Sequence, residues 1–330
     1  MSSTNRRDFL KSAAAVGGTL GLSGLVAAEQ GANGGEDGQA PDKPEPGMPR
    51  RKLGRIDAQV SLLGCGLGSA FTGPNRNDPD KAHRLLETAL DLGVNYFDTA
   101  RAYGPSEKLI GPVVKKHRDR MFLVSKSGRR DYDGFQRELE QSLENLQTNR
   151  IDLYHIHDLG GRDRDLAAIE KGAVKAARKA RDEGTIGAFG VTGHSGAAIL
   201  IQAMKAWEPD AVLTVFSASR PDRGRYEDEL LPLARQKKMG VIAMKTVRHA
   251  RDADLEGSDL VRYALSLEGV ATAIVGLDNA MHLKANAKMA SNFTPIDAQG
   301  RARMAEQVQL ALAGLAPQWE RPGYNDTCEV

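Results

Sequence analysis

A (βα)8 TIM barrel, with an N-terminal hairpin plug and an extra C-terminal helix, is the fold this sequence predicts. From residue 62 onward, eight apolar runs of strand length recur at roughly 25- to 35-residue intervals: SLLGCG, VNYFDTA, MFLVSKS, IDLYHIH, IGAFGVTG, AVLTVFS, GVIAMK and VATAIVG. Between them lie stretches such as DKAHRLLETALDLG, FQRELEQSLENLQ, LAAIEKGAVKAARKARDEG and GRYEDELLPLARQKKMG, with apolar residues at helical spacing and glycine at several ends. Runs that are apolar throughout, instead of alternating, suit parallel strands covered on both faces. Eight such units without a compositional break close a barrel, whereas a doubly wound sheet uses fewer strands and a pronounced phosphate loop.

Each element follows in order. RRKLGRIDAQVS, ahead of the first barrel strand, reads as a short hairpin that plugs the bottom. The first strand runs into LGCGLG, whose glycines at 64, 66 and 68 approximate a dinucleotide fingerprint. Their spacing is G-x-G-x-G, not G-x-G-x-x-G, and the following FTGPNRNDPD reads as a loop where the motif requires a helix start. Those glycines are therefore read as close packing at the barrel mouth. Residues 296–315 form the extra helix, the tail from Ala316 is irregular, and the barrel as a whole spans 50–330.

The chain of 330 residues has 45 basic and 43 acidic side chains, a net charge of +2. Arg6, Arg7 and Lys11 against Asp8 carry that excess before Glu29, so the remainder is neutral and no basic surface points to nucleic acid. Cys65 and Cys328 lack the C-x-x-C spacing of a zinc or redox site. TNRRDFLKSAAAVGGTLGLSGLVAA resembles the twin-arginine (Tat) export signal of bacteria, with Asn5 departing from its usual first position. That resemblance implies the Tat machinery as a partner, a periplasmic or otherwise exported destination, and passage of an already folded protein. The apolar stretch is too short and too rich in glycine for stable membrane insertion. Cleavage is expected after Ala28, and residues 29–49, rich in Gly, Pro and acids, read as a disordered linker.

Asp98, Lys126 and His157 each close an apolar run, and Tyr103 lies in the loop after the first of these. Packing alone gives an apolar strand little reason to end this way. In a (βα)8 barrel the C-terminal strand ends form the functional face, and the second, third and fourth barrel strands are neighbours there. A phenol is a poor acid at neutral pH; a nearby ammonium favours its phenolate, and a carboxylate keeps that ammonium charged and oriented. Tyr103 can then protonate a carbonyl oxygen as hydride reaches the carbon, with His157 polarising the carbonyl. No side chain donates hydride, so a nicotinamide cofactor is implied.

With RKLGRIDAQVSLLGCGLG, NYFDTARAYGPSEKLIG, LVSKSG, RIDLYHIHDL and IGAFGVTGHS on hand, the chain resembles the aldo-keto reductase family over about residues 50–290. The resemblance implies a (βα)8 oxidoreductase acting on a small-molecule carbonyl, an aldehyde or ketone, sugar-like ones included. It implies Tyr103 as general acid/base, Asp98 and Lys126 tuning it, and His157 orienting the carbonyl. It also implies a cofactor surface. Thr192 and His194 stand where the family clasps the carboxamide, with Gly193 replacing a side chain there. Thr214 stands at the usual glutamine, Met244 at the ring-stacking aromatic, and Gly276, His282 and Asn286 after the last strand. Gly276 and His282 stand where the family places fixed cations for a 2′-phosphate, so either NAD serves or Lys245, Arg248 or Arg251 supplies the charge; the family tips the choice to NADP. Phe71, Asp158, Trp319 and Tyr324 are the substrate-pocket candidates. Two other readings stand beside this one. A cofactor-binding scaffold or sensor would keep the fold without turnover. A metal-dependent barrel hydrolase would use the H-x-H of His155 and His157 with Asp158, His194, His249 and Asp278.

Overall fold

The computed structural model describes residues 47–312, apart from 161, 162, 164, 220, 221 and 248–252. The export signal, its cleavage position, the linker up to residue 46, Arg248, His249, Arg251, Trp319, Tyr324 and Cys328 lie outside the described residues.

A hairpin opens the described chain: β1 (Arg50–Lys52) pairs antiparallel with β2 (Gln59–Ser61). Eight parallel strands then close a barrel in chain order: β3 (Leu63–Gly66), β4 (Tyr96–Asp98), β5 (Phe122–Ser127), β6 (Ile151–Ile156), β7 (Ile186–Gly193), β8 (Ala211–Val215), β9 (Gly240–Met244) and β10 (Val270–Gly276), the last pairing with β3. These are the eight runs read from the sequence.

The hairpin does plug the base. Leu53 and Val60 are fully buried and cluster with Tyr96, Phe122, Leu153 and Ile242 of the barrel interior. Arg51 donates to the carbonyls of Leu265 (2.9 Å) and Val270 (2.6 Å), tying the hairpin to the start of β10. Gly54 turns the chain at φ +57°, and a Cβ there would lie 2.2 Å from the Gly240 amide, so the turn tolerates only glycine.

Helices cover the outside, and their starts are written in the sequence. Asp78 caps Pro79–Asp91, Asp131 caps Tyr132–Asn145, Asn279 caps Ala280–Ser291 and Asp297 caps Ala298–Ala311, each accepting a backbone N–H in the first turn. The last of these is the extra C-terminal helix. Among the described residues, no helix is long and apolar enough to cross a membrane.

Three local expectations are corrected. The segment after β3 is not a loop throughout, because Ser69–Asn75 is helical. Burial of Phe71 in the core overrides a stretch whose Gly73 and Pro74 argue against helix. The same burial removes Phe71, wholly inaccessible, from the substrate-pocket candidates. The linker also ends earlier than residue 49: Met48 is buried in the core and the Pro49 carbonyl accepts the Leu62 N–H at 3.0 Å.

Candidate active site

Pleating sends Tyr96 and Asp98 of β4, and Phe122, Val124 and Lys126 of β5, to the same side. The lower members fill the barrel, while Asp98 and Lys126 reach its C-terminal mouth. Both are buried, at 1% exposure each. Lys126 Nζ lies 2.5 Å from Asp98 Oδ2 and donates to the Thr99 carbonyl at 2.8 Å. The Tyr103 hydroxyl is 3.5 Å from the same ammonium, which sits 4.8 Å from the centre of the Tyr103 ring. His157, one residue past β6, meets the Tyr103 ring edge-on, with centroids 5.6 Å apart and planes at 81°. The four residues separated in sequence are thus brought together.

Two tyrosines approach this pair, and their surroundings separate them. Tyr96 is wholly buried, and its phenol is pushed well above the ordinary tyrosine range by that burial and by the Asp98 carboxylate. Tyr103 is partly exposed and lines a cavity of about 860 Å3 together with Asp98. The volume lies within the about 300–1,000 Å3 typical of small-molecule and cofactor sites.

The cavity runs from Gly66, Gly68 and Tyr103 to Lys245, Gly276, His282 and Asn286. Glycine at 68 leaves ring contact with Tyr103, because a Cβ would lie 3.5 Å from it. Glycine at 276 is needed more strictly, since a Cβ would come within 2.7 Å of that of Ala70. Of the three glycines read as close packing, Gly64 and Gly66 are tight, a Cβ meeting Ile274 Cγ2 at 2.8 Å and the Val275 carbonyl at 3.3 Å, whereas Gly68 is in ordinary contact. Met244, Lys245, Gly276, His282 and Asn286 therefore all face the cavity expected to hold a cofactor. His282 Nδ1 lies 2.8 Å from Asp278 Oδ2, so an acid stands beside that imidazole.

Thr192, His194 and Thr214 do not line this cavity and are buried. Their polar atoms face protein. Thr214 Oγ1 donates to the Gly193 carbonyl at 2.7 Å, Thr192 Oγ1 accepts the Asp158 N–H at 2.9 Å, and His194 Nε2 lies 3.2 Å from Asp158 Oδ1. Thr192 and His194 thus hold Asp158 in the turn after His157, while Thr214 is tied to the end of β7. Glu256, Gly257 and Ser258 line the cavity instead. The sequence does not mark them, because they form the N-cap and first two positions of the helix Gly257–Leu265, ahead of its first buried residue, Leu260.

The H-x-H of β6 gives one residue at the mouth and one in the interior. His155 is fully buried beside Lys126, its registered partner, and its ring covers Gly190, where a Cβ would lie 2.4 Å from Nδ1. Among the described residues, no three His, Cys, Asp or Glu side chains gather to hold a metal. Burial first, then the Lys126 ammonium and His157, hold the His155 imidazole well below its ordinary pKa, the Val191 backbone offsetting a part. Above about pH 6.5 it is neutral in both folded and unfolded chains. Below that pH the unfolded chain takes up a proton that the folded one refuses, and stability falls with pH. We therefore expect His155→Leu to flatten the loss of unfolding free energy between about pH 6.5 and 4.5, read from urea melts across that range. A parallel slope in the variant would count against this origin. Cys65, buried with its thiol pushed up to about 12, is chemically quiet.

The fold and site together are a closed parallel (βα)8 barrel with a lysine–aspartate pair and a tyrosine at its mouth. The model of the aldo/keto reductase family matches residues 62–252, and the chain belongs to that family. Residues 3–23 match the twin-arginine translocation signal sequence. The chain is 30% identical over 210 residues to YqkF, an uncharacterized oxidoreductase of Bacillus subtilis, a match covering 59% of this chain and 64% of YqkF. It is 34% identical over 158 residues to L-galactose dehydrogenase of Arabidopsis thaliana, covering 43% of this chain and 48% of that enzyme. The crystal structure of PA4992 from Pseudomonas aeruginosa superposes with a TM-score of 0.63 at 29% identity, covering 74% of this chain and 95% of PA4992.

Proposed function

We propose that this chain is an NAD(P)-dependent carbonyl reductase, acting in reverse as an alcohol dehydrogenase, with Tyr103 as its general acid/base. The observation that carries the reading is the Lys126 ammonium, fixed by Asp98 and Thr99, 3.5 Å from the Tyr103 hydroxyl at the wall of the cavity. A bound nicotinamide supplies the hydride that no side chain can. Tyr103 gives its phenolic proton to the carbonyl oxygen as the C=O bond becomes a C–O single bond. The Lys126 ammonium stabilises the phenolate left behind, and Asp98 fixes the ammonium. His157, at the edge of the Tyr103 ring, orients the carbonyl oxygen. In the oxidative direction the phenolate takes the alcohol proton.

Met244, Lys245, Gly276, His282 and Asn286 are the residues we assign to the cofactor. Family membership and the cation of Lys245 favour NADP(H), while Glu256 and Asp278 oppose a 2′-phosphate from the same cavity. The substrate is assigned as an aldehyde or ketone, with sugar-like carbonyls first to be tried because one relative is named for L-galactose. The twin-arginine signal supports export to the periplasm in a folded state, with cleavage after Ala28.

Titration with NADPH and NADH, followed by a panel of carbonyls, tests the reading. We expect both to bind, NADPH more tightly, and Lys245→Met to weaken NADPH about tenfold relative to NADH, about 1.4 kcal/mol. Failure to bind either nucleotide would sink the proposal.

A further inference from the structure

Behind His157 the backbone is held in an uncommon shape. Asp158 sits in the left-handed region, at φ +53°, which costs a non-glycine residue energy unless its surroundings fix it. On one side Thr192 fixes it, Oγ1 accepting the Asp158 N–H and the carbonyl accepting the Leu159 N–H at 2.7 Å. On the other side stands Arg130, in the loop after β5. Its Nη1 donates to the His157 carbonyl at 2.9 Å and to the Gly128 carbonyl at 3.1 Å, and its Nη2 to the Asp158 carbonyl at 3.0 Å. Nε and Nη2 bind the two oxygens of Asp163 at 2.7 and 2.9 Å. Asp163 also accepts the Gly160 N–H at 2.9 Å, which draws the loop beyond Asp158 onto the same guanidinium.

The five N–H groups of Arg130 are all used in this way. Such a set requires a planar fork, and a lysine ammonium, one point charge with three donors, reproduces neither the paired bond to Asp163 nor the two adjacent carbonyl bonds. Asp163 is 5% exposed at its side chain and Arg130 22%, so water competes weakly for the fork. Neither side chain lines the cavity.

We propose that Arg130 and Asp163 form a positioning pair for His157: they fix the backbone of residues 157–158, and through it the direction of the imidazole towards Tyr103. The inference rests on the carbonyl-reductase reading above. It adds residues that act on the chemistry without touching substrate or cofactor.

The test is a double-mutant cycle on the full barrel protein, with a measurement that needs no turnover. Arg130→Lys is expected to lower kcat about tenfold or more while leaving the NADPH dissociation constant within about twofold. In a His157→Ala background the same substitution should change kcat less than twofold, because the group it positions is gone. Asp163→Asn should follow Arg130→Lys in direction, and Arg129→Lys, whose partner is Glu138, should leave kcat unchanged. In cofactor-free protein the 15N-edited imidazole signal of His157 should be single in the parent and broadened or doubled in Arg130→Lys. Equal effects of Arg130→Lys with and without His157 would mean a general structural role and overturn the proposal, as would an unaltered His157 signal. If the parent protein binds NADPH but reduces no carbonyl, the functional reading fails, and the imidazole signal still decides the positioning pair.

Discussion

Tyr103→Phe is expected to lower kcat for carbonyl reduction by about 100- to 10,000-fold, the range a positioned general acid contributes. The substitution removes one oxygen atom and keeps the ring. Its edge-on contact with His157 and its packing against Gly68 therefore persist, and NADPH affinity should stay within about twofold of the parent. The loss should fall on kcat, because the proton is given up only as the C–O bond changes order, whereas the ring contributes equally before and after. Tyr96 offers no rescue: it is wholly buried, outside the cavity lining, and its phenol is held away from ionisation by burial and Asp98. Single-turnover measurement with bound NADPH gives the decisive number. A variant that retains more than a third of the parent rate would remove Tyr103 from the proton-transfer step.

Asp98→Ala should cost stability as well as activity. The Lys126–Asp98 pair is 1% and 2% exposed at its side chains, so deleting the carboxylate strands an ammonium in the barrel. Breaking a buried pair from one side typically costs about 3–5 kcal/mol, because the remaining charge keeps its desolvation penalty and loses its compensation. For a chain of this size that corresponds to a fall in Tm of roughly 10 °C. The Thr99 carbonyl, 2.8 Å from Nζ, compensates only partly, since it carries no net charge. Adding Lys126→Met to the same chain should recover much of the lost stability, because the stranded charge disappears and an unbranched apolar side chain fills the space. Activity should not return with it. Calorimetry on the single and double variants checks the expectation; an unchanged Tm in Asp98→Ala would show that the pair is solvated in solution.

The barrel was legible because its signals are local and repeated. Eight apolar runs, helical spacing between them, and a short hairpin segment before the first strand each state one element. The gathering of Asp98, Lys126 and His157 followed from the fold, because residues ending neighbouring strands at one face meet there. Other features depend on what lies across space. Phe71 is surrounded by core, and its seven-residue helix forms for that reason despite Gly73 and Pro74. Thr192, near the end of β7, and His194, just past it, meet Asp158, whose left-handed turn no sequence pattern announces. Arg130 was hidden by composition. It stands second in a pair of arginines in a charged loop, and only its distance to the His157 and Asp158 carbonyls distinguishes it from Arg129.

The His155 ring occupies space beside Gly190 that any side chain at 190 would claim. The two positions are therefore one decision in evolution, although 35 residues separate them along the chain. A lineage that places alanine or serine on β7 at this point must first shrink or turn the residue on β6 and also ease the Ala211 carbonyl, which that Cβ would meet at 2.9 Å, and the reverse change must await a return to glycine. Across related barrels, imidazole at the first position should travel with glycine at the second, and departures should occur at both together. Histidine beside a bulkier partner would mark a chain in which the strands themselves have moved apart.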